Sequence, residues 1–161
     1  MFAPAHLAQA TAVLAKARAK GLKIVTAESC TGGLIAGLLT EIAGSSDVFE
    51  RGFVTYSNDA KMQLLGVPES LLAAHGAVSA PVARAMAEGA LRRSRAQVAV
   101  AVTGIAGPGG GSADKPVGLV HIAAARDGEV RSEERRFGDP GRGQVRLKTV
   151  EAALRLLDGL L

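Results

Sequence analysis

The sequence predicts a layered α/β fold around a mixed, mainly parallel sheet, and three observations predict it. Short apolar runs, Leu22 to Val25 and Val98 to Val102, alternate with longer stretches of helical apolar spacing, as expected of strands buried beneath helices. Twenty glycines against 3% aromatic residues imply a core of Ala, Val, Leu and Ile with close backbone approaches. Asp127-Gly128 between two β-favouring segments is a hairpin signal, which puts an antiparallel pair into the sheet. The 161 residues carry no internal repeat and no linker-like stretch, so 1–161 is expected to form a single domain.

In chain order, His6 to Lys20 places Leu7, Ala10, Val13, Leu14 and Ala17 at helical spacing, with Gly21 to end the helix. A strand is expected over Leu22 to Ala27, then a sharp turn and a helix running to about Ala43. There Gly44-Ser45-Ser46-Asp47 breaks it, and Val48 to Ser57 resumes as strand. Asn58 reads as the N-cap of a short helix, Asp59 to Leu65; Pro68 reads as the first-turn proline of another that ends at His75-Gly76. Ser79 before Pro81 starts a longer helix with Val82, Ala85, Met86, Ala90 and Leu91 inward, which gives way at Gln97 to the second buried strand. Val117 to Ala125 and Glu129 to Phe137 form the hairpin. The last helix aligns Leu147, Val150, Leu154, Leu157 and Leu161 in one stripe.

Composition excludes several function classes. The formal charge of +4 is modest, and the arginines between Arg126 and Arg142 are interleaved with carboxylates, so that stretch reads as a solvated surface. Nucleic acid is not required by this balance, and one Tyr, four Phe and no Trp leave few stacking platforms. A single cysteine excludes an internal disulfide and fits a reducing compartment. His6, His75 and His121 lack metal-ligand spacing, so no metal and no cofactor is expected. No apolar run approaches membrane-spanning length and no signal peptide opens the chain, so no membrane partner and a cytoplasmic location are expected.

Two loops at the ends of buried strands carry the chemistry. Thr26-Ala27-Glu28-Ser29-Cys30-Thr31-Gly32-Gly33 turns from strand to helix, leaving a hydroxyl and a thiol beside helix-initiating N–H groups that suit an anion or an oxyanion. On this segment alone, Ser29 or Thr31 acting as a plain helix cap accounts for the same residues. The second loop, Thr103-Gly104-Ile105-Ala106-Gly107-Pro108-Gly109-Gly110-Gly111, lies where open α/β sheets bind ligands. Its glycines do not reproduce G-x-G-x-x-G, no Gly-Lys-Ser/Thr follows, and Ser29 is not in G-x-S-x-G. A serine nucleophile without a paired histidine needs another base, and Lys61 is the candidate. The first turn of a helix and partial burial both lower a lysine's pKa. Tyr56 and Asn58 flank it, Thr103 offers a second hydroxyl, and Cys30 is a rival nucleophile whose pKa a helix N-terminus would depress. Arg142 and Arg146 share one face of the last helix, either as solvated side chains or as holders of an anion.

The segments Ala27 to Gly33, Thr55 to Lys61, His75 to Ser79 and Thr103 to Pro108, with Lys115-Pro116-Val117-Gly118 behind them, resemble the CinA C-terminal domain family, in order and spacing, over about Leu7 to Leu157. The resemblance implies a compact three-layer α/β/α sandwich, association into homo-oligomers, and nicotinamide-nucleotide amidase activity: water converts nicotinamide mononucleotide to nicotinate mononucleotide and ammonia. It further implies Ser29 as nucleophile and Lys61 as base, with Tyr56 and Thr103 assisting. Around these, Cys30, Thr31, Gly32, Gly33, Asn58, Gly104, Gly107, Arg142 and Arg146 are the expected substrate contacts, with the amides around Thr31 to Gly33 holding the oxyanion and the two arginines the 5′-phosphate. The uniform Gly109-Gly110-Gly111 departs from the family pattern. Nothing here corresponds to the additional N-terminal domain of the larger CinA proteins, so the chain is expected to be the amidase module alone. The alternative is a nucleotide-binding or interaction module without turnover, of the competence-damage protein type.

Overall fold

In the computed structural model, which describes residues 2–161, five strands form one sheet: β1 (Ile24–Glu28), β2 (Phe49–Val54), β3 (Val98–Gly104), β4 (Leu119–Arg126) and β5 (Glu129–Arg136). The helices are α1 (Pro4–Ala19), α2 (Leu34–Glu41), α3 (Asn58–Leu65), α4 (Glu69–His75), α5 (Ala80–Arg92) and α6 (Arg142–Asp158). The order across the sheet is β2-β1-β3-β4-β5. β1 is parallel to β2 and β3, whereas β4 is antiparallel to both β3 and β5. Only β4 therefore runs against the rest, and the sheet is mixed and mainly parallel, with the hairpin at Asp127-Gly128 as the sequence predicts.

Side-chain size distinguishes the two faces. Val98, Val100 and Val102 of β3, with Val120 and Ile122 of β4, pack against α1, α2 and α6. The alternate positions, Ala99, Ala101, Ala123 and Ala125, pack against α5 and the short helices before it. Helices thus cover both faces, giving three layers. Along the small-residue face α3 crosses α5 at Gly89, where a Cβ would stand 2.1 Å from the Leu65 carbonyl oxygen. The missing side chain sets how closely α3 approaches the sheet, and α3 carries Lys61.

Several boundaries differ from expectation for local reasons. α1 begins at Pro4, two residues early, because a proline at the first helical position loses no intrahelical hydrogen bond. β1 is shifted to Ile24–Glu28, and β2 stops at Val54. α2 stops at Glu41, short of Ala43, because Ile42 is already extended at ψ 122°. Pro68 is the N-cap of α4 and lies just before its first turn. Ser57, not Asn58, caps α3: its side chain accepts from the Ala60 amide at 3.0 Å, which moves Asn58 into the helix and Lys61 one position deeper. In α6, Leu147 is only half-buried, and Val145, Thr149 and Ala153 join the inward stripe. Among the described residues no helix is long and apolar enough to cross a membrane.

Candidate active site

β1, β2 and β3 run in the same direction, so the segments that follow them gather at one edge of the sheet. This is the edge at which open α/β sheets present ligand sites. Ser29 follows β1, Thr55 to Lys61 follow β2, and Thr103 to Gly110 close β3. They enclose a cavity of about 300 Å3, at the small end of the range for small-molecule sites.

Glu28 shapes the nucleophile turn. Its carboxylate, 1% exposed, accepts from Thr31 Oγ1 at 2.5 Å and from the amides of Gly33, Ile35 and Ala36 at 3.1, 3.0 and 2.8 Å. A side chain from the preceding strand therefore caps α2, in place of the Ser29 or Thr31 cap that the sequence suggests, and its negative charge complements the helix N-terminus. Gly33 is the residue before the helix, at φ 99°, a conformation that glycine adopts without penalty. Two of the amides expected to hold an oxyanion are consequently engaged: Gly33 donates to Glu28, and Gly32 donates to the Ser29 carbonyl at 3.0 Å. Glu28→Ala orphans four buried or half-buried donors at once, and at a cost of about 1–3 kcal/mol each it should lower stability by at least about 3 kcal/mol. Urea unfolding reads this directly. A loss below about 1 kcal/mol would show that water replaces the carboxylate.

Lys61 is 2% exposed, and its Nζ lies 3.1 Å from Ser29 Oγ and 2.7 Å from the Thr55 carbonyl oxygen. Burial pushes its pKa below the usual lysine range, opposed by the charge that Cys30 would carry as thiolate. The Glu28 carboxylate is engaged by the start of α2. Nζ donates to both the Thr55 carbonyl and Ser29 Oγ; once it gives up a proton, the amine has a lone pair at the same distance for the Ser29 hydroxyl proton. Cys30 is buried, and burial pushes its thiol up to about 12, opposite to the depression its position beside a helix suggests. At neutral pH this cysteine is a protonated thiol, a poor nucleophile.

The rim of the cavity sorts the remaining candidates. Tyr56 is 62% exposed, and its hydroxyl accepts from Arg142 Nη2 at 2.8 Å, while Arg142 Nη1 donates to the Gly107 carbonyl at the same distance. Arg142 thus joins two walls of the cavity. Arg146 does not line it: its Nε and Nη2 donate to the carbonyls of Cys30 and Thr31 at 3.1 and 2.9 Å, so it clamps the nucleophile turn from outside. Thr31, Gly32 and Gly33 are likewise outside the lining, whereas Cys30, Asn58, Gly104 and Gly107 contribute to it. Thr103 contributes too, but its hydroxyl donates to the Ala77 carbonyl at 2.9 Å. Ala77, Val78, Ile105 and Ala106 also line the cavity; the sequence places them within the matching motifs but gives them no individual role, since small apolar residues carry no chemical signal.

A three-layer α/β/α fold with a serine–lysine pair at the carboxyl ends of its parallel strands defines the class. The CinA C-terminal domain profile matches residues 6–161, and the chain belongs to that family. The nicotinamide-nucleotide amidohydrolase PncC of Escherichia coli K12 is 54% identical over 142 residues, 87% of this chain and 85% of that protein. The competence/damage inducible protein CihA of Agrobacterium tumefaciens, a solved structure, is 57% identical with a TM-score of 0.98 over 99% of this chain and 98% of that one. A putative competence-damage inducible protein of Caldicellulosiruptor bescii is 58% identical over 139 residues, or 86% of this chain, but the chain spans only 33% of that relative's length.

Proposed function

We propose that this chain hydrolyses the carboxamide of nicotinamide mononucleotide to nicotinate mononucleotide and ammonia, with Ser29 as nucleophile and Lys61 as base. Similarity to the Escherichia coli amidohydrolase supports an amidase; the particular nucleotide and the residue roles are the proposal. The observation that carries it is the 3.1 Å approach of Lys61 Nζ to Ser29 Oγ inside a cavity whose lining adds the cationic side chain of Arg142 and has no carboxylate. Such a lining suits a substrate that brings its own negative charge.

Ser29 Oγ attacks the carboxamide carbon while Lys61 Nζ takes the hydroxyl proton. As the C–N bond breaks, Lys61 returns that proton to the departing nitrogen, which leaves as ammonia. Water then attacks the Ser29 ester, Lys61 accepts a proton from it and gives it back to Oγ, and the nicotinate carboxylate is released. Positioned acid–base help is worth about 10²–10⁴-fold. With Gly32 and Gly33 engaged, we assign the oxyanion to the amide of Cys30, which directly follows the nucleophile and lines the cavity. Tyr56 and Thr103 hold the walls, and Asn58, Gly104 and Gly107 border the substrate. The homo-oligomer that the resemblance implies is read by sedimentation velocity.

Ammonia release from nicotinamide mononucleotide tests the reading; nucleotide-dependent thermal stabilisation without ammonia would contradict it. Arg142 has two of its five N–H donors engaged, which leaves donors for the 5′-phosphate. Arg142→Gln should raise KM for nicotinamide mononucleotide by about tenfold or more and leave KM for nicotinamide riboside within about twofold. Arg146→Gln should instead lower kcat for both substrates alike, because it loosens the turn that carries Ser29. Equal KM effects of Arg142→Gln on the two substrates would remove the phosphate role.

A further inference from the structure

We infer that Lys115 is a positioning residue for this site, strapping the glycine-rich loop to the carboxyl end of α4 and so fixing the width of the cavity. The inference rests on the amidase reading for its kinetic consequence, but its geometry stands independently. Ala77 and Val78 form one wall of the cavity and Gly104 to Gly110 the facing one. Three consecutive carbonyls, from the end of α4 into the first wall, are each taken by a different side chain. His75 O accepts from Lys115 Nζ at 2.6 Å, Gly76 O from Ser79 Oγ at 2.8 Å, and Ala77 O from Thr103 Oγ1 at 2.9 Å. Ser79 belongs to the same wall. Only Lys115 and Thr103 reach across from the other side, Thr103 from the strand at the floor and Lys115 from the return limb of the loop.

Lys115 is anchored at its backbone as well. The Ser112 amide donates to the Lys115 carbonyl at 2.8 Å, and the Lys115 amide donates to Ser112 Oγ at 3.1 Å, closing a turn immediately after the three glycines. Gly109, Gly110 and Gly111 bring no side chain of their own to hold the loop in place. Between β3 and this turn, the loop's side-chain hydrogen bond is the Arg142 contact to Gly107 O, so Lys115 supplies the opposite tether. Its ammonium has no carboxylate within salt-bridge distance among the described residues. It lies instead at the carboxyl end of α4, where a cation is favoured, so close that a Cβ on Gly76 would stand 3.0 Å from Nζ. A charge-assisted hydrogen bond from a side chain with no competing partner is suited to a tether.

The test compares the wild-type chain with Lys115→Met and Lys115→Arg, by amide hydrogen exchange and by steady-state kinetics with nicotinamide mononucleotide. Lys115→Met should speed exchange of the amides in 76–79 and 105–111 by about tenfold, the change expected from one charge-assisted bond, with β3 and α6 unchanged. KM should rise by about tenfold while kcat stays within about twofold, and Lys115→Arg, which retains a cationic donor, should restore most of both. Unchanged exchange in those two segments, an unchanged KM, or faster exchange spread over β3 and α6 would each overturn the strap. If the wild-type chain releases no ammonia, the amidase reading fails by itself, and the exchange comparison still decides whether Lys115 holds the loop.

Discussion

Ser29→Ala should abolish ammonia release, with kcat falling on the order of 10⁴–10⁶-fold, while Cys30→Ser should retain most of it. The adjacent hydroxyl and thiol are separated by their surroundings. Ser29 is half-buried, faces the cavity and has Lys61 Nζ at 3.1 Å. Cys30 is packed in the core with α2 and α6, and its pKa of about 12 keeps it protonated. Serine at position 30 exchanges a buried thiol for a buried hydroxyl, which affects stability more than chemistry. Initial rates of ammonia release, with thermal unfolding to confirm that each variant folds, check the pair. Activity surviving in Ser29→Ala and lost in Cys30→Ser would reverse the assignment.

Lys61→Arg should lose activity by a comparable margin, on the order of 10³-fold or more, because a guanidinium keeps its proton at any working pH. Steric mismatch adds to the loss, since Nζ is already fitted between Thr55 O and Ser29 Oγ at 2% exposure. In the wild-type chain the base acts only when neutral. If Lys61 is the base, the rate should therefore rise with pH through its ionisation to a plateau, at a pH below the ordinary lysine value of about 10.4, since burial lowers its pKa. Stability follows the same sign. Where the folded pKa is depressed, the unfolded chain holds more protons over the interval up to the ordinary value, so stability rises with pH across that interval and is lost as pH falls through the folded pKa. The difference in unfolding free energy between wild type and Lys61→Met should accordingly grow as pH rises from neutral. A difference that is flat in pH would mean that Lys61 keeps its ordinary pKa.

The parts of this architecture that sequence makes legible are those decided within a few residues. The apolar run before Ser29, the Asp127-Gly128 turn and the Ser79 cap each depend on neighbours in the chain; the turn and the cap appear where expected, and the strand forms with its bounds moved to Ile24–Glu28. The Lys61–Ser29 juxtaposition is also legible, through matching motifs rather than through any rule about lysine. Long-range side-chain choices are not. Glu28 looks like a charge ending a strand, and its three backbone donors exist only once α2 has folded back onto it. Arg146 shares a helix face with Arg142, as the spacing requires, yet one turn along the axis brings it to the carbonyls of Cys30 and Thr31 rather than to the cavity. Ser57 prevails over Asn58 as cap because its hydroxyl reaches the Ala60 amide, a matter of register by one residue that composition does not distinguish.

Rapid acid quenching of the wild-type chain during turnover of nicotinamide mononucleotide, followed by mass spectrometry of the peptide containing Ser29 and Cys30, tests the central claim most directly. Serine-based acyl transfer predicts a nicotinoyl-nucleotide ester on Ser29 that appears with ammonia, disappears as nicotinate mononucleotide forms, and is absent from Ser29→Ala. Ammonia released at full rate with no covalent adduct at any quench time, or with the adduct on Cys30, would contradict it.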